Sequence, residues 1–317
     1  MTTKQKNTIP NRSVMCQVLT EEGKKNRDLV VLTSDSRGSA KLEDFVKALP
    51  EQIVEVGISE QNIVSVASGL AHSGKRAFVV SPAAFLSMRS IEQIKVDVAY
   101  SNTNVKLVGI SGGVAYGQLG MSHHSLQDLA VTRAIPNLQV MMPADRFETE
   151  KMFEALVHSD QPAYIRIGRN PVEDSYESAD YDFEIGKAVT MKEGNDISII
   201  ASGETVRPAL DTAERMAEEG ISARVINMHT IKPLDVEVIK KAAKETSAII
   251  SVEEHSIYGG LGGAIAEVLS AQPSVPHRIV GIHDEPAITG DSGQVFEHYG
   301  LHPDSLTKLA KNLLKNR

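Results

Sequence analysis

Residues 53–62 read IVEVGISEQN, in which the short β-branched run Ile53–Val56 ends at a glycine and a helical pattern, Gln61–His72, begins after an acid. A strand followed at once by a helix is the repeating step of parallel α/β folds. Further runs that predict strands are Asp28–Thr33, Arg76–Val80, Val105–Ile110, Leu138–Met142 and Ala163–Ile167. Helical spacing fills most of the intervals, as in Ile91–Tyr100 and Phe147–His158. The alternation predicts an α/β fold with a mainly parallel sheet covered by helices on both faces.

A second set of strands and helices follows an interruption. The periodicity lapses through Pro171–Asp182, which is rich in Asp, Glu, Tyr and Ser, and a helix is predicted at Pro208–Glu219, ended by Gly220. The strands predicted beyond the interruption are Ile197–Ala201, Ala223–Met228, Ala248–Val252 and Arg278–Ile282. The 317 residues exceed the roughly 100–200 of an ordinary domain. We therefore expect two α/β domains, residues 1–180 with the linker and residues 181–317.

Composition excludes several classes of function. The chain has 33 Lys and Arg against 41 Asp and Glu, a net charge of −8, and no long run of like charge, which disfavours nucleic-acid binding. Cys16 is the single cysteine and cannot form an internal disulfide, and the polar residues 1–10 lack the apolar core of a signal peptide. No apolar stretch approaches the roughly 20 residues of a membrane span. These features predict a cytoplasmic protein without membrane association.

Polar side chains follow several of the predicted strands. Ligands of parallel sheets bind where loops leave the carboxyl ends of the strands. The segments in such positions are Asp35, Gly57–Glu60, Ser81–Phe85, Ser111–His124 and Arg169. Glu60 has two explanations at this point: an acid favoured by a helix dipole, or a functional carboxyl group.

Two other features also have alternative explanations. His123 and His124 could belong to a long turn or form a metal pair, but adjacent histidines seldom face one ion and no third ligand stands at a zinc spacing. The cluster Gly259–Gly263 could form a dinucleotide loop or allow close packing before a helix at Ala264–Leu269. Close packing is favoured, because no acidic ribose partner follows a strand about 20 residues later.

A set of motifs, in this order, resembles the pyrimidine-binding domain of transketolases. They are Gly57-Ile58-Ser59-Glu60-Gln61, Gly117-x-x-Gly120-x-Ser122-His123, Arg133-Ala134-Ile135-Pro136-Asn137-Leu138 and Pro143-Ala144-Asp145. The later stretches Gly203-Glu204-Thr205, Glu253-Glu254-His255 and Gly260-Leu261-Gly262-Gly263 are similar to the transketolase C-terminal domain. The resemblance covers nearly the whole chain and implies a thiamine-diphosphate-dependent enzyme that transfers a two-carbon ketol unit from a ketose to an aldose.

One part of the family's pattern is missing. The diphosphate-binding domain of transketolases carries a Gly-Asp-Gly motif followed further along the chain by Asn, and these residues hold a divalent ion. The nearest match, Gly290-Asp291-Ser292-Gly293, stands too close to the C-terminus for the rest to follow. The resemblance thus implies the C-terminal half of a split transketolase. An N-terminal partner subunit would supply the Mg²⁺ ligands, in an assembly with two copies of each chain.

The resemblance also implies roles for individual residues. Glu60 would bond a pyrimidine ring nitrogen of the cofactor and favour its imino tautomer, Phe85 would stack on the ring, and Asp35 would lie near the cofactor. His123 would contact the two-carbon fragment of the donor. A sugar phosphate would be held by Arg12, Ser39 and Arg169, since guanidinium groups donate paired, charge-assisted bonds.

Three departures from the family pattern bear on the substrate. Pro82 stands where many relatives have a further aromatic residue, Ser111 where typical members have histidine, and Gln118-Leu119 where they have Glu-Asp. The missing aspartate normally contacts a substrate hydroxyl, so we expect an anionic ketose that is branched, deoxy or sulfonated. The alternatives are the β subunit of a 2-oxo-acid dehydrogenase E1 component and a non-catalytic α/β partner.

Overall fold

The computed structural model describes residues 7–271 and 275–315, which form two sheets. The first sheet has the order β10-β5-β6-β4-β3-β1-β2 and is parallel except at the β10–β5 edge. Its strands are β1 Leu29–Thr33, β2 Ile53–Glu55, β3 Arg76–Pro82, β4 Val105–Ile110, β5 Gln139–Met141, β6 Ala163–Ile167 and β10 Thr230–Lys232. The expected α/β class with mainly parallel sheets is confirmed.

The second sheet has the order β12-β11-β8-β9-β7 and is parallel except between β7 and β9. Its strands are β7 Val189–Lys192, β8 Ile197–Ala201, β9 Ala223–Asn227, β11 Ile249–Ser256 and β12 His277–Ile282. Because β11 runs beyond the stretch predicted from sequence, Glu253, Glu254 and His255 lie on a strand and are buried.

Helices cover both faces of the first sheet. Alternate residues of β1 point to opposite sides: Val30 and Leu32 join a core with α4, whereas Leu29 and Val31 join a core with α1 and α8. The helices of the chain are α1 Asn11–Lys25, α2 Arg37–Ala40, α3 Glu43–Ala48, α4 Glu60–His72, α5 Ala83–Arg89, α6 Ile91–Gln93, α7 Asp128–Arg133, α8 Arg146–His158, α9 Val206–Glu218, α10 Val236–Glu245, α11 Leu261–Leu269, α12 Ser292–His298 and α13 Pro303–Lys315. Across the described residues, no helix combines the length and apolarity that crossing a membrane requires.

Several elements differ from the sequence-based expectation. The stretch Ile91–Tyr100 begins as the single turn α6 and continues as a π-helix, Ile94–Tyr100. Helix α1 has no clean apolar stripe, because Asn11, Arg12 and Thr20 occupy buried positions along it. Strands β7 and β10 are too short to show alternation in sequence. Strand β10, from the second half of the chain, completes the edge of the first sheet.

Candidate active site

Glu60 is a buried acid at the start of helix α4. It follows the turn after β2, in which Gly57 has a φ of 70°, a backbone conformation that favours glycine. Its side chain is 5% exposed, and Oε2 accepts a bond from Nη1 of Arg89 at 2.9 Å. Acids that serve only the helix dipole stand in water, whereas this carboxylate faces the protein and has a cationic partner. Burial therefore favours the functional explanation.

Phe85 lies in the first turn of α5, not on a loop as expected from sequence, and is half-buried. The guanidinium carbon of Arg89 lies 4.1 Å from the centroid of the Phe85 ring, and the ring of His123 stands edge-on at 5.2 Å. Phe85 thus connects the Glu60–Arg89 pair to His123. Pro82, buried at the end of β3, contributes no aromatic ring to this group.

His123 follows a 3₁₀ turn, Gly117–Ser122, in the loop after β4. Its ring lies between Phe85 and Tyr116, whose centroid is 5.4 Å away, and its Nδ1 is 3.0 Å from Oγ of Ser122. Tyr116 was missed from sequence, although an aromatic residue directly before Gly117 is a usable signal in a chain with 7 tyrosines. The imidazole is therefore fixed between two aromatic rings.

His124 belongs to a different environment from His123. It is buried, its Nε2 lies 3.1 Å from the carbonyl oxygen of Gly117, and burial lowers the pKa of the imidazole. Within residues 7–271 and 275–315, no group of three or more His, Cys, Asp or Glu side chains is placed to hold a metal ion. The separate contacts of His123 and His124 fit the long-turn explanation.

Two arginines predicted to bind an anion lie close together. Arg169 is half-buried, with its guanidinium carbon 5.0 Å from the Tyr116 centroid and Nη1 3.4 Å from Oγ of Ser111. Arg12 is buried, and its Nη1 donates to the backbone oxygen of Ser39. Burial and the neighbouring charge of Arg169 lower the pKa of Arg12. The structure thus brings together the residues expected at the phosphate end, Ser39 through its carbonyl group.

Asp35 is exposed after β1, in the left-handed conformation with φ 53°. The carboxylate of Glu55 fixes its loop: Oε1 accepts from the backbone N–H of Asp35 at 2.8 Å and of Gly57 at 3.0 Å, and Oε2 accepts from Nε of Arg37 at 3.0 Å. Glu55 was not selected from sequence. One acid therefore holds the loop of Asp35 to the turn that leads to Glu60.

Leu119 lies on the turn that precedes His123. Its side chain is 53% exposed, and its carbonyl oxygen accepts from Oγ of Ser122, the residue bonded to His123. The second half of the chain supports this turn, because a Cβ at Gly117 would lie 2.8 Å from the carbonyl oxygen of Gly290. Next to that glycine, Asp291 caps helix α12 by accepting the Gln294 N–H at 3.0 Å.

The glycine cluster before α11 has a structural function. A Cβ at Gly260 would lie 2.0 Å from Oε2 of Glu253, so the backbone must approach closely here. The backbone N–H groups of Leu261 and Gly262 donate to Glu253 at 2.7 and 2.8 Å. These helix N-terminal donors already hold an internal carboxylate, as the close-packing explanation requires.

The side chains around Phe85 fit one half of thiamine diphosphate. A buried carboxylate and an aromatic face, both in contact with Arg89, suit an aminopyrimidine ring, which is planar and carries a nitrogen that can bond Glu60. For the diphosphate and its metal, the described residues provide no comparable set of acidic ligands. The chain fits the pyrimidine half of the cofactor.

Comparison with known proteins gives matches along the whole chain. Residues 7–173 match the transketolase pyrimidine-binding domain and residues 186–306 the transketolase C-terminal domain. An apulose-4-phosphate transketolase subunit of Phocaeicola vulgatus is 50% identical over 98% of this chain and 99% of its own length. The 6-deoxy-6-sulfo-D-fructose transketolase subunit SqwH of Clostridium sp. is 35% identical over 96% and 95%. A solved split-gene transketolase, an inactive beta4 tetramer, aligns with a TM-score of 0.88 and 37% identity over 98% of this chain and 99% of its own. The chain belongs to the transketolase family, as the subunit of a split transketolase that carries the pyrimidine-binding and C-terminal domains.

Proposed function

We propose that this chain binds the pyrimidine half of thiamine diphosphate through Glu60 and Phe85, with Asp35 nearby, and transfers a ketol unit from an anionic ketose to an aldose. The observation that carries the proposal is a continuous set of contacts. Glu60 pairs with Arg89, Arg89 covers Phe85, Phe85 meets His123, and Tyr116 joins His123 to Arg169. The end with Glu60 and Phe85 suits the cofactor ring, and the end with Arg169 suits an anion.

The residues at the cofactor end have separate tasks. When bound, thiamine diphosphate supplies the carbon nucleophile that takes up the two-carbon unit. Glu60 holds or releases a proton at the ring nitrogen it bonds. His123 has Nδ1 engaged by Ser122, so Nε2 is the nitrogen directed to a donor hydroxyl. Both groups act by proton transfer or hydrogen bonding from fixed positions.

The two arginines at the other end favour an anionic substrate group. Arg12 and Arg169 are close enough for the charge of one to lower the pKa of the other. A phosphate or sulfonate between them would relieve that repulsion and accept charge-assisted bonds from both. Ser111 is fully buried and its hydroxyl accepts from Nη1 of Arg169 at 3.4 Å, so we propose that it serves the substrate site by holding that guanidinium in place.

Leu119 and the relatives together point to the donor. An apolar side chain at this exposed position gives no acceptor to a ketose hydroxyl. The relative at 50% identity is named for apulose 4-phosphate, a ketose branched at C3, and the one at 35% for a sulfonated sugar. We propose a phosphorylated ketose branched at C3 as the donor of this enzyme.

We further propose an assembly with two copies of each chain, in which the partner holds Mg²⁺ and the diphosphate. We also propose a domain boundary between residues 180 and 181, which is compatible with the family matches, since these end at 173 and resume at 186. A reducing, cytoplasmic location suits a chain whose single cysteine, Cys16, is free and buried.

The test is a donor comparison with the reconstituted two-subunit enzyme. We would supply Mg²⁺, thiamine diphosphate and an aldose phosphate, and measure kcat/KM for apulose 4-phosphate, xylulose 5-phosphate and 6-deoxy-6-sulfofructose. The branched donor should be preferred and should leave a ketone, because cleavage at a doubly substituted C3 cannot give an aldehyde. Release of CO₂ from 2-oxo acids without ketol transfer would instead support the dehydrogenase alternative.

A further inference from the structure

Arg89 makes two contacts that the proposed cofactor site would also use. Its Nη1 donates to Oε2 of Glu60 at 2.9 Å, and its guanidinium carbon lies 4.1 Å from the centroid of the Phe85 ring. We infer that Arg89 competes with the cofactor's aminopyrimidine ring for Glu60 and Phe85, so that binding of the ring displaces the guanidinium. The inference rests on the function proposed above for these two residues.

The competition follows from the shape and chemistry of the two groups. A guanidinium is planar and delocalised, donates N–H bonds to carboxylates and stacks on aromatic faces, as an aminopyrimidine does. Glu60 has a second oxygen and could in principle bond both groups. Phe85 cannot accommodate both on one face, because no ring fits into a 4.1 Å gap between a guanidinium and an aromatic ring. His123 already stands edge-on to Phe85 at 5.2 Å.

Arg89 is placed so that it can leave. It is the last residue of α5 and its side chain is 49% exposed, whereas the side chain of Glu60 is 5% exposed. Releasing the guanidinium therefore needs rotation of one long side chain and no change in the backbone. Water solvates the released guanidinium, and the bound ring replaces it as the partner of Glu60, so the exchange leaves no buried charge without a partner.

The Glu60–Arg89 ion pair would have a structural role in the chain before the cofactor binds. A carboxylate as buried as Glu60 destabilises the fold when it has no partner. Arg89 supplies that partner. The pair thus stabilises the chain at the expense of cofactor affinity. Loss of Arg89 should move these two quantities in opposite directions.

The test measures both quantities in the same variants. Thiamine diphosphate would be titrated calorimetrically, with Mg²⁺, into the reconstituted two-subunit complex carrying wild-type chain, Arg89→Met or Lys95→Met. Lys95 is exposed in the next helix, and its variant removes the same charge. Arg89→Met should lower the Kd by about twofold to fivefold, the range of a partly exposed ion pair. Its melting temperature should fall, and Lys95→Met should leave the Kd unchanged.

The outcomes separate this inference from the proposed function. If the wild-type complex shows no saturable binding of thiamine diphosphate, the proposed function fails and the inference fails with it. If the wild type binds and Arg89→Met binds equally or more weakly, only the inference is wrong, and Arg89 is a structural or cofactor-holding residue. A structure of the complex with thiamine diphosphate in which the guanidinium still covers Phe85 would also overturn it.

Discussion

Glu60 is the side chain on which the proposed proton transfer depends. The turn at Gly57 ends the connection from β2, and the backbone of α4 then directs Glu60 inward. The carboxylate is held by Arg89, a cation on α5 that also lies over the face of Phe85. Its function is therefore determined by two neighbouring helices as well as by its own position.

Replacing Glu60 by glutamine should leave the fold intact and slow turnover. An amide can retain one hydrogen bond to a ring nitrogen, but it cannot relay a proton. We expect kcat of the reconstituted enzyme to fall by roughly 10²–10⁴, the usual range for lost proton transfer. Glu154→Gln, an exposed change on α8, is the control and should be neutral. Activity within twofold of wild type would remove Glu60 from the mechanism.

Leu119→Asp should shift donor preference toward xylulose 5-phosphate. A charged hydrogen bond to a donor hydroxyl is worth about 1.5–3 kcal/mol, or roughly ten- to more than hundredfold in kcat/KM. The measurement is the ratio of kcat/KM for xylulose 5-phosphate and the branched donor. Met121→Asp places the same charge at another exposed position of the same turn and is the control. An equal shift in both variants, or none, would show that Leu119 does not select the donor.

At this scale, sequence position indicated candidates mainly in the segments that follow strands. Glu60, His123 and Arg169 could be selected because a parallel sheet gathers such loops at one edge. Arg89 and Tyr116 could not, because a guanidinium reaching back from the end of a helix and a ring turned toward His123 are side-chain placements that spacing does not reveal.

At the scale of elements, helix α8 joins the two sheets through its first turn. Asp145 caps the helix by accepting the Glu148 N–H, and its other oxygen accepts from Ser175 and Tyr176 of the linker at 2.7 and 2.8 Å. The buried carboxylate of Glu148 accepts from Tyr176 Oη at 3.0 Å and from Asn227 Nδ2 of β9 at 2.8 Å. The predicted linker is therefore fixed in place without regular structure.

Glu148→Gln should flatten the dependence of stability on pH. Burial raises the pKa of Glu148 from 4.5 to about 7. The folded chain thus keeps a proton that the unfolded chain loses, so the stabilisation is complete below pH 4.5 and is lost as pH rises through 7. Between pH 5 and 8 the free energy of unfolding of the wild type should fall relative to the variant by on the order of 2–3 kcal/mol. The free energies of unfolding would be measured with urea at pH 5 and pH 8. The same difference between wild type and variant at both pH values would contradict the prediction.

The two short edge strands show what periodicity cannot predict. Strand β10, Thr230–Lys232, is fixed by its partner β5 and by Nζ of Lys232, which donates to the carbonyl oxygens of Arg133 and Ile135. These are contacts between residues about a hundred positions apart in sequence. The long buried strands, by contrast, were predictable because each contains several apolar, mostly β-branched residues within a short stretch.

At the scale of the whole molecule, one hydrophobic core crosses the boundary between the halves. It includes Leu129 and Val140 from the first half and Ile231, Ile239 and Leu261 from the second. A core shared in this way buries apolar surface of both sheets within the single chain. The chain should therefore fold without its partner, although its proposed active site needs both.

The isolated chain should accordingly be folded, inactive and a weak ligand of thiamine diphosphate. The diphosphate would be bound through Mg²⁺, and residues 7–271 and 275–315 contain no group of three or more side chains placed to hold that ion. Each charged hydrogen bond that the diphosphate lacks is worth about 1.5–3 kcal/mol. Calorimetric titration should give a Kd at least about a hundredfold above that of the two-subunit complex. Circular dichroism would verify the fold of the same sample.

Chelation of Mg²⁺ supplies the internal control. It should weaken binding by the complex to about the level of the isolated chain and leave binding by the isolated chain unchanged. Tight, magnesium-dependent binding by this chain alone would contradict the assignment of the diphosphate site to the partner.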